Sequence, residues 1–406
     1  MKLLQINDSV NTGSTGRIAE GIARVLISGK YQSLIAYGRD SNKSQSIIIR
    51  IGGKLTIFLH LLISRLFDLH GFGSTFATMI FINKLKKISP DIFHLHNIHG
   101  YYLNVKILFK YLKRSGKPVV WTLHDCWPFT GHCSYFDAFK CYKWELGCFK
   151  CPNLKGYPES WWRDNSRNNF KRKKALFTKH RNLTIIAPSF WLAGHISKSF
   201  LNEYPVTIIH NGIDLSIFKP IIGSTIIGRY NLPNQPFILG VANNWDKRKG
   251  LTDFYKFRQH LPNHISIVLV GLKKQQIAGL PDGITGLART ENIEDLAAFY
   301  SAATVFVNPT YIDNFPTTNL EALACGTPVI TYNTGGSPEA INELTGFVIE
   351  QGDIMGMVSA IREIIERGKD NYSYSCRALA QRKYNQDEIY MDYFKMYENI
   401  LKNNNA

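Results

Sequence analysis

At 406 residues the chain is too long for one ordinary hydrophobic core, so two domains are expected. Its 45% hydrophobic content is that of a globular protein. The net charge of +17 is uneven, because residues 104–181 hold seventeen Lys/Arg against five Asp/Glu, and such a basic half suits nucleic acid, an anionic membrane or a phosphorylated substrate.

The N-terminus, "MKLLQINDSV", has too short an apolar run for a signal peptide. The most apolar stretch, residues 55–67, contains His60 and Arg65 and is shorter than the ~20 residues needed to cross a bilayer. A cytoplasmic protein is therefore expected, soluble or peripheral at a membrane, with its seven cysteines reduced or bound to metal. No zinc-finger, helix-turn-helix or RNP-type pattern favours nucleic acid. The basic run "KRKK" (171–174) reads either as part of a membrane-facing patch or as solvated surface.

In chain order, short β-branched runs end in polar or glycine turns: residues 2–7, 33–38, 91–97, 118–125 and 183–189. A second series follows at 206–212, 237–244, 265–271, 304–309 and 328–333. Helical stretches such as 16–28 and 292–303 lie between them. Apolar strands alternating with helices indicate parallel sheets covered on both faces. Two such series predict an α/β protein of two doubly wound domains, 1–205 and 206–385, facing across a cleft. The last segment, 386–406, puts Tyr390, Phe394, Tyr397 and Leu401 on one helical face, which is expected to pack back on the N-terminal domain.

In open parallel sheets, ligands bind at the carboxyl ends of strands, so the turns that follow strands carry the candidates. After the first strand, "NDSVNTGSTGRIAEGIA" (7–23) places Gly13, Ser14 and Gly16 before a helix expected to open at Arg17. Glycines let a backbone approach a ligand, and a helix start favours an anion, although a tight turn alone would account for half of this signal. "TLHDCW" (122–127) sets His124 beside Asp125 at a strand end, either for proton transfer or for holding a hydroxyl. "HLHNIHG" (94–100) puts His94 and His96 on one strand face with no acid near in sequence, a poor metal site. "VANNWDKRKGL" (241–251) offers Arg248 and Lys249, which could neutralise charge on a leaving phosphate or be ordinary surface cations.

"DNFPTTNLEALACGTPVI" (313–330) is the richest turn. Thr318 and Glu321 fit a capping box, so a helix should start there and stop at Gly326. Glu321 could therefore serve only its own helix. The polar loop Asn314, Phe315, Pro316, Thr317, Thr318 and Asn319 argues for more: amides at 317–319 suit a phosphate. A carboxylate beside a phosphate needs another task, and Asp313 and Glu321 could accept hydrogen bonds from two sugar rings either side of a diphosphate. The chain has no Asp-x-Asp, so no catalytic divalent ion is expected.

Together these pieces resemble a retaining glycosyltransferase of family 4, with the GT-B fold, over nearly the whole chain. The resemblance rests on "IHNGIDLSIFKP" (209–220), "RKGL" (248–251) and "DNFPTTNLEALACGTPVITYNTGGSPEAI" (313–341). The family's Glu-x7-Glu motif here reads Asp313-x7-Glu321. It implies that Asp313 contacts the transferred sugar and Glu321 the ribose of a nucleotide diphosphate sugar. It places His124 beside the sugar, and Lys249 with the Gly13–Gly16 turn on the diphosphate. Two positions depart from the family pattern. Asp313 is one methylene short of the usual glutamate, about 1.5 Å of reach, and Asn243 stands where an arginine is frequent. Phosphate neutralisation then falls more on Lys249, Arg248 or Arg17.

The nearest subgroup by resemblance assembles bacterial exopolysaccharide, O-antigen or colanic-acid-type chains, and shares a cysteine-bearing insert, here within 126–160. Its Cys133, Cys141, Cys148 and Cys151 suggest a structural zinc, with free thiols or a redox pair as alternatives. Cys325 reads as packing. The expected reaction is sugar transfer with retention to a hydroxyl of a lipid-linked saccharide at the inner face of the plasma membrane. The basic half and the aromatic run "GYPESWW" (156–162) would meet lipid headgroups. A sugar-nucleotide 2-epimerase of the same fold, and a non-catalytic basic protein binding membranes or nucleic acid, are the alternatives.

Overall fold

The computed structural model describes residues 1–223, 226–232 and 236–405. The chain divides into two compact units: Met1–His210 with Ile389–Ala406, and Asn211–Glu388. Each is built on one sheet whose strands all pair in parallel.

In the first unit the strands are β1 (Lys2–Ile6), β2 (Gln32–Tyr37), β3 (Ile47–Arg50), β4 (Ile92–Leu95), β5 (Val119–Thr122), β6 (Leu183–Ala187) and β7 (Val206–Ile208). Their spatial order is β3-β2-β1-β4-β5-β6-β7. Val206–Ile208 was expected to open the second series; it instead pairs with β6 and closes the first sheet. The order reverses between β1 and β4, so the chain leaves these two neighbours in opposite directions and opens a crevice at their carboxyl ends.

Helix α1 (Gly13–Ser28) covers β1 and β2 and starts four residues before the expected Arg17. Its Ile18, Ile22 and Leu26 meet the C-terminal helix Gln386–Asn405 through Tyr390, Tyr393 and Tyr397 in one core. The contact is close enough that a methyl group on Gly21 would overlap the Tyr390 ring. Tyr397 also reaches into the sheet, its hydroxyl 2.7 Å from His94 Nδ1, while His94 Nε2 lies 2.8 Å from Thr122 Oγ1. His94 thus joins the C-terminal helix to β5. Residue 406, the end of the segment read as 386–406, lies outside the described residues.

Two further helices of the first unit matter below: α2 (Lys54–Phe67) and α3 (Thr75–Ile88). Within "KRKK", Lys173 does not face solvent. Its ammonium sits 3.5 Å from the centre of the Trp127 ring and donates to the Trp127 and Thr130 carbonyls at 2.7 and 3.1 Å. Burial lowers its pKa to about 7.

The second unit contains β8 (Phe237–Val241), β9 (Ser266–Val270), β10 (Ile284–Leu287), β11 (Val305–Asn308), β12 (Val329–Tyr332) and β13 (Gly346–Ile349), in the order β10-β9-β8-β11-β12-β13. Its reversal lies between β8 and β11. The central strands β8, β9, β11 and β12 are almost wholly buried, as strands covered on both faces must be. Cys325 is buried in this core, as its packing role required.

Candidate functional site

In the second unit the loops that follow β8 and β11 meet at the reversal. Lys249, in the short 3-10 turn Lys247–Lys249 after β8, donates from Nζ to Asp313 Oδ2 in the loop after β11. Arg248 Nη1 lies 3.9 Å from the same oxygen and donates to the Ile312 carbonyl at 3.0 Å. The Tyr311 amide returns a 2.7 Å bond to the Arg248 carbonyl. Burial works to raise the Asp313 pKa, but the Lys249 and Arg248 charges override it and hold the carboxyl below its ordinary value. The result is a fixed carboxylate flanked by two cations.

Two glycines make this apposition possible. Gly250 has φ +73°, and a Cβ there would lie 2.2 Å from the Pro309 carbonyl oxygen. Gly335, in the loop after β12, has φ +57°, and a Cβ would lie 1.9 Å from the Asp313 carbonyl oxygen. That same oxygen accepts from the Gly336 amide at 3.0 Å. Gly335→Ala is therefore expected to displace the Asp313 loop: thermal unfolding should show a lower Tm, and donor turnover should fall further than stability alone explains. The control is Gly116→Ala, outside the candidate site, where φ is +65° but nothing lies within 4 Å of the new methyl.

The helix after the Asp313 loop is Thr317–Ala324, with Pro316 at its N-cap. The expected capping box does not form. Glu321, 5% exposed, is turned inward, and its Oε2 accepts from the Tyr300 hydroxyl at 2.8 Å. Asn319 is also spent internally: its amide bonds the Pro316 carbonyl at 3.2 Å, and its side chain joins Asn308 and Ser337 at 2.8 and 3.0 Å. Phe315 is a core side chain stacked edge-on to Tyr384 at 5.9 Å. Asn314 is buried, with its amide on Asp313 Oδ1 at 2.9 Å. Thr317 and Thr318 remain partly exposed on the first turn.

In the first unit the loop after β1 carries Gly13 and Ser14, both exposed at the start of α1, with Arg17 exposed one turn on. Gly16 is buried against its own loop, 3.0 Å from Ser9 Oγ for an added Cβ, so its smallness serves the turn itself.

His124 does not pair with Asp125. Its Nε2 is 3.1 Å from His96 Nδ1. A chain of bonds fixes the protons. Gln5 donates its amide to the Ala19 carbonyl at 2.8 Å, so its oxygen accepts from His96 Nε2 at 2.9 Å, and His96 Nδ1 is left to accept from His124 Nε2–H. Both rings are neutral; burial lowers the His124 pKa to about 4. Asp125 instead holds His99, with Oδ2 3.0 Å from Nε2, and accepts the Trp127 amide at 3.0 Å on Oδ1. Burial opposes the Asp125 charge, yet His99 and these bonds keep its pKa below the ordinary value.

His99 Nδ1 is 3.3 Å from the Tyr157 hydroxyl. Asp8, on the loop after β1, has a pKa raised by burial despite the His99 and Arg39 charges. Asp8 escaped sequence reasoning, and His96 and His99, within the motif at 94–100, read there only as a poor metal site. The available signal was topological: they follow β1 and β4, the two strands at the reversal.

The zinc expectation finds no support among the described residues. Cys133, Cys141, Cys148 and Cys151 do line one cavity of about 20 Å³. Yet among the described residues no group of three or more His, Cys, Asp or Glu is arranged to hold a metal ion. The free thiols of Cys133 and Cys151 share a hydrogen bond, Cys148 Sγ accepts from the Gly131 amide at 3.1 Å, and burial raises the Cys148 pKa to about 12. The thiols are used in packing the insert.

Comparison with known proteins decides the family. Residues 22–217 match the model described as "Glycosyltransferase Family 4", and residues 224–383 the model "Glycosyl transferases group 1". The chain belongs to glycosyltransferase family 4. Along its length it is similar to a protein named as a colanic acid biosynthesis glycosyl transferase, WcaC, of Escherichia coli (strain K12), at 24% identity over 98% of this chain and 100% of that one. Among solved structures it is similar to sucrose-phosphate synthase from Thermosynechococcus elongatus, with TM-score 0.72 and 18% identity, each chain covered to 99%. It is also similar to HepE of Anabaena, solved in complex with UDP, with TM-score 0.68 and 15% identity over 98% of this chain and 100% of that chain. The fold of this family member is GT-B: two α/β, Rossmann-like domains with parallel sheets.

Proposed function

We propose that this glycosyltransferase moves a sugar from a nucleotide diphosphate sugar to a hydroxyl of a lipid-linked saccharide, with retention at the anomeric carbon, in bacterial surface polysaccharide assembly. The observation that carries the reading is the Lys249–Asp313–Arg248 cluster at the reversal of the second sheet, beside the first turn of Thr317–Ala324. Lys249 and Arg248 take the diphosphate, together with the amides of that first turn; in the first unit, taken by itself, the Gly13–Ser14 loop with Arg17 offers anion contacts of its own. Asp313 orients the transferred sugar and buried Glu321 accepts from the ribose, while in the first unit His124 is the candidate sugar contact. The cations supply the positive charge that the leaving group needs.

In the step itself the bond from the anomeric carbon to the phosphate oxygen breaks, and the diphosphate leaves with the electron pair. The acceptor oxygen bonds that carbon from the same face, and its proton passes to the departing phosphate oxygen. The WcaC likeness supports polysaccharide assembly as the setting. HepE, whose fold this chain shares, was solved with UDP, which makes a uridine donor the first to try. The protein is placed at the cytoplasmic face of the membrane, where such acceptors are made.

The test is a panel of UDP-, GDP- and ADP-sugars, with binding read by calorimetry and slow hydrolysis or transfer by chromatography. At least one donor is expected to bind, and the product anomer, read by NMR, to match the donor. A panel without any binder, and Glu321→Ala behaving as the parent, would overturn the reading.

A further inference from the structure

Helix α2 is inverted. Its inward face carries His60 and Ser64, each 1% exposed, and His60 is anchored by the Gly71 and Gly73 amides at 3.2 and 3.1 Å and by Ser74 Oγ at 2.9 Å. Its outward face carries Leu55, 71% exposed, Phe58, 58%, and Leu59, 48%. Residues at i, i+3 and i+4 share one helical stripe, so these three form a single apolar strip. The first turns of α3 repeat the pattern with Phe76 (82% exposed), Met79 and Ile80. Soluble helices bury such faces.

The surroundings carry one sign of charge. Residues 41–90 hold seven Lys/Arg and a single acid, Asp68. Asp68 is 2% exposed and bonded to His132 at 2.6 Å, so it does not face outward. The stripe of α3 runs from its apolar turns into exposed Lys84, Lys86 and Lys87. At the other end of α2 the Arg65 carbonyl accepts from the Trp161 amide at 2.9 Å, which holds exposed Trp162 beside the helix. Apolar side chains, an aromatic and exposed cations, of which Arg65 is paired with Glu159 at 3.3 Å, fit an anionic bilayer. A two-fold contact with a second copy would instead set cations against cations. Each helix has 14 residues, and among the described residues none is long and apolar enough to cross a membrane, so a docked pair would lie in the interface plane.

We propose that the outward faces of α2 and the first turns of α3 are a monotopic docking surface for anionic lipid. The surface is joined to the loop after β4: Ser74 Oγ donates at 3.2 Å to the carbonyl of Tyr101, in the loop that also carries His99. A lipid-linked saccharide held in the docked bilayer would meet that loop. This purpose rests on the lipid-linked acceptor reading; the docking itself does not need it.

The experiment is vesicle co-sedimentation of the full chain, with phosphatidylglycerol–phosphatidylethanolamine vesicles against pure phosphatidylcholine, and donor hydrolysis measured in parallel. The parent is expected to bind the anionic vesicles, less so as salt rises. Phe58→Ser with Phe76→Ser should weaken that binding about tenfold or more. Lys84→Glu with Lys86→Glu and Lys87→Glu should remove its salt dependence. Circular dichroism and donor hydrolysis should stay at parental values in both. Equal vesicle binding by parent and both variants overturns the docking surface, as does absence of binding by a folded parent. So does a loss of self-association, seen by sedimentation velocity, with vesicle binding unchanged, because the face would then join copies of the chain. Loss of donor hydrolysis in the parent with docking intact counts against the enzymatic reading alone.

Discussion

Lys249→Ala is expected to lower kcat/KM for sugar transfer by about 10²–10³-fold, the usual effect of removing one fixed group from developing anionic charge. The loss should fall mainly on kcat. The diphosphate gains charge as its bond to the sugar breaks, so a cation at that point matters more in the transition state than in the donor complex. In the structure Lys249 is held by Asp313 rather than left mobile, so its ammonium is already placed when the donor arrives. The substitution has a second effect. Asp313 keeps its depressed pKa through Lys249 first and Arg248 second, and Arg248 stands at 3.9 Å. Without Lys249 the carboxyl pKa rises, and the acid limb of the pH–rate profile should move to higher pH. A lysine that served only packing would lower Tm and leave that limb in place. Activity within about twofold of the parent, with an unmoved acid limb, would end the diphosphate role of Lys249.

The way the loops converge explains what the sequence could reveal. All ten β-branched runs read as strands are strands; nine of them are central, where strands covered on both faces must be apolar, and the tenth, β7, is an edge strand that still carries a β-branched run. β3, β10 and β13 escaped notice, and each is an edge strand with exposed or half-exposed positions, so no continuous apolar run marks it. The same logic applies to the site. Lys249 and Asp313 lie in motif-bearing turns and could be named in advance. The partner of Asp125 could not: adjacency along β5 suggested His124, but successive residues leaving a strand point apart, and His99 arrives from the neighbouring β4 loop. Glu321 was read as either a cap or a ligand contact. Its bond to Tyr300, 21 residues earlier, depends on how the two helices pack, which spacing does not encode. The inverted face of α2 was visible as an apolar stretch at 55–67, but which side faces inward was settled by the His60 bonds.

Those bonds lead to the second large expectation, an acid-sensitive first unit. His60 Nε2 accepts from two backbone amides, so that nitrogen carries no proton, and Nδ1–H donates to Ser74 Oγ. Protonating Nε2 would set a donor against two donors. His70 packs 6.5 Å away and Tyr101 5.9 Å away, and neither offers a negative charge. Burial lowers the His60 pKa to about 4, only partly offset by the Tyr101 carbonyl. In the unfolded chain the same ring titrates near 6.5. Between these values the unfolded state binds more protons, so the stabilisation is complete above about pH 6.5, falls as pH drops toward about 4, and changes no further below that. The difference of about 2.5 pH units corresponds to ~3 kcal/mol from this one ring. His94 and His96 are lowered by burial too and add to the slope, so the variant must isolate His60. His60→Gln keeps an acceptor near the two amides but cannot titrate. Urea unfolding at about pH 5 and about pH 7.5 should show the variant weaker than the parent at the higher pH and closer to it, or stronger, at the lower. Because the fully buried face of α2 is His60 and Ser64, with apolar side chains such as Ile57 only half-buried on the core, the parent should also lose α2 protection first in hydrogen exchange as pH falls. Parallel pH slopes for parent and variant would show that His60 is not the group that titrates.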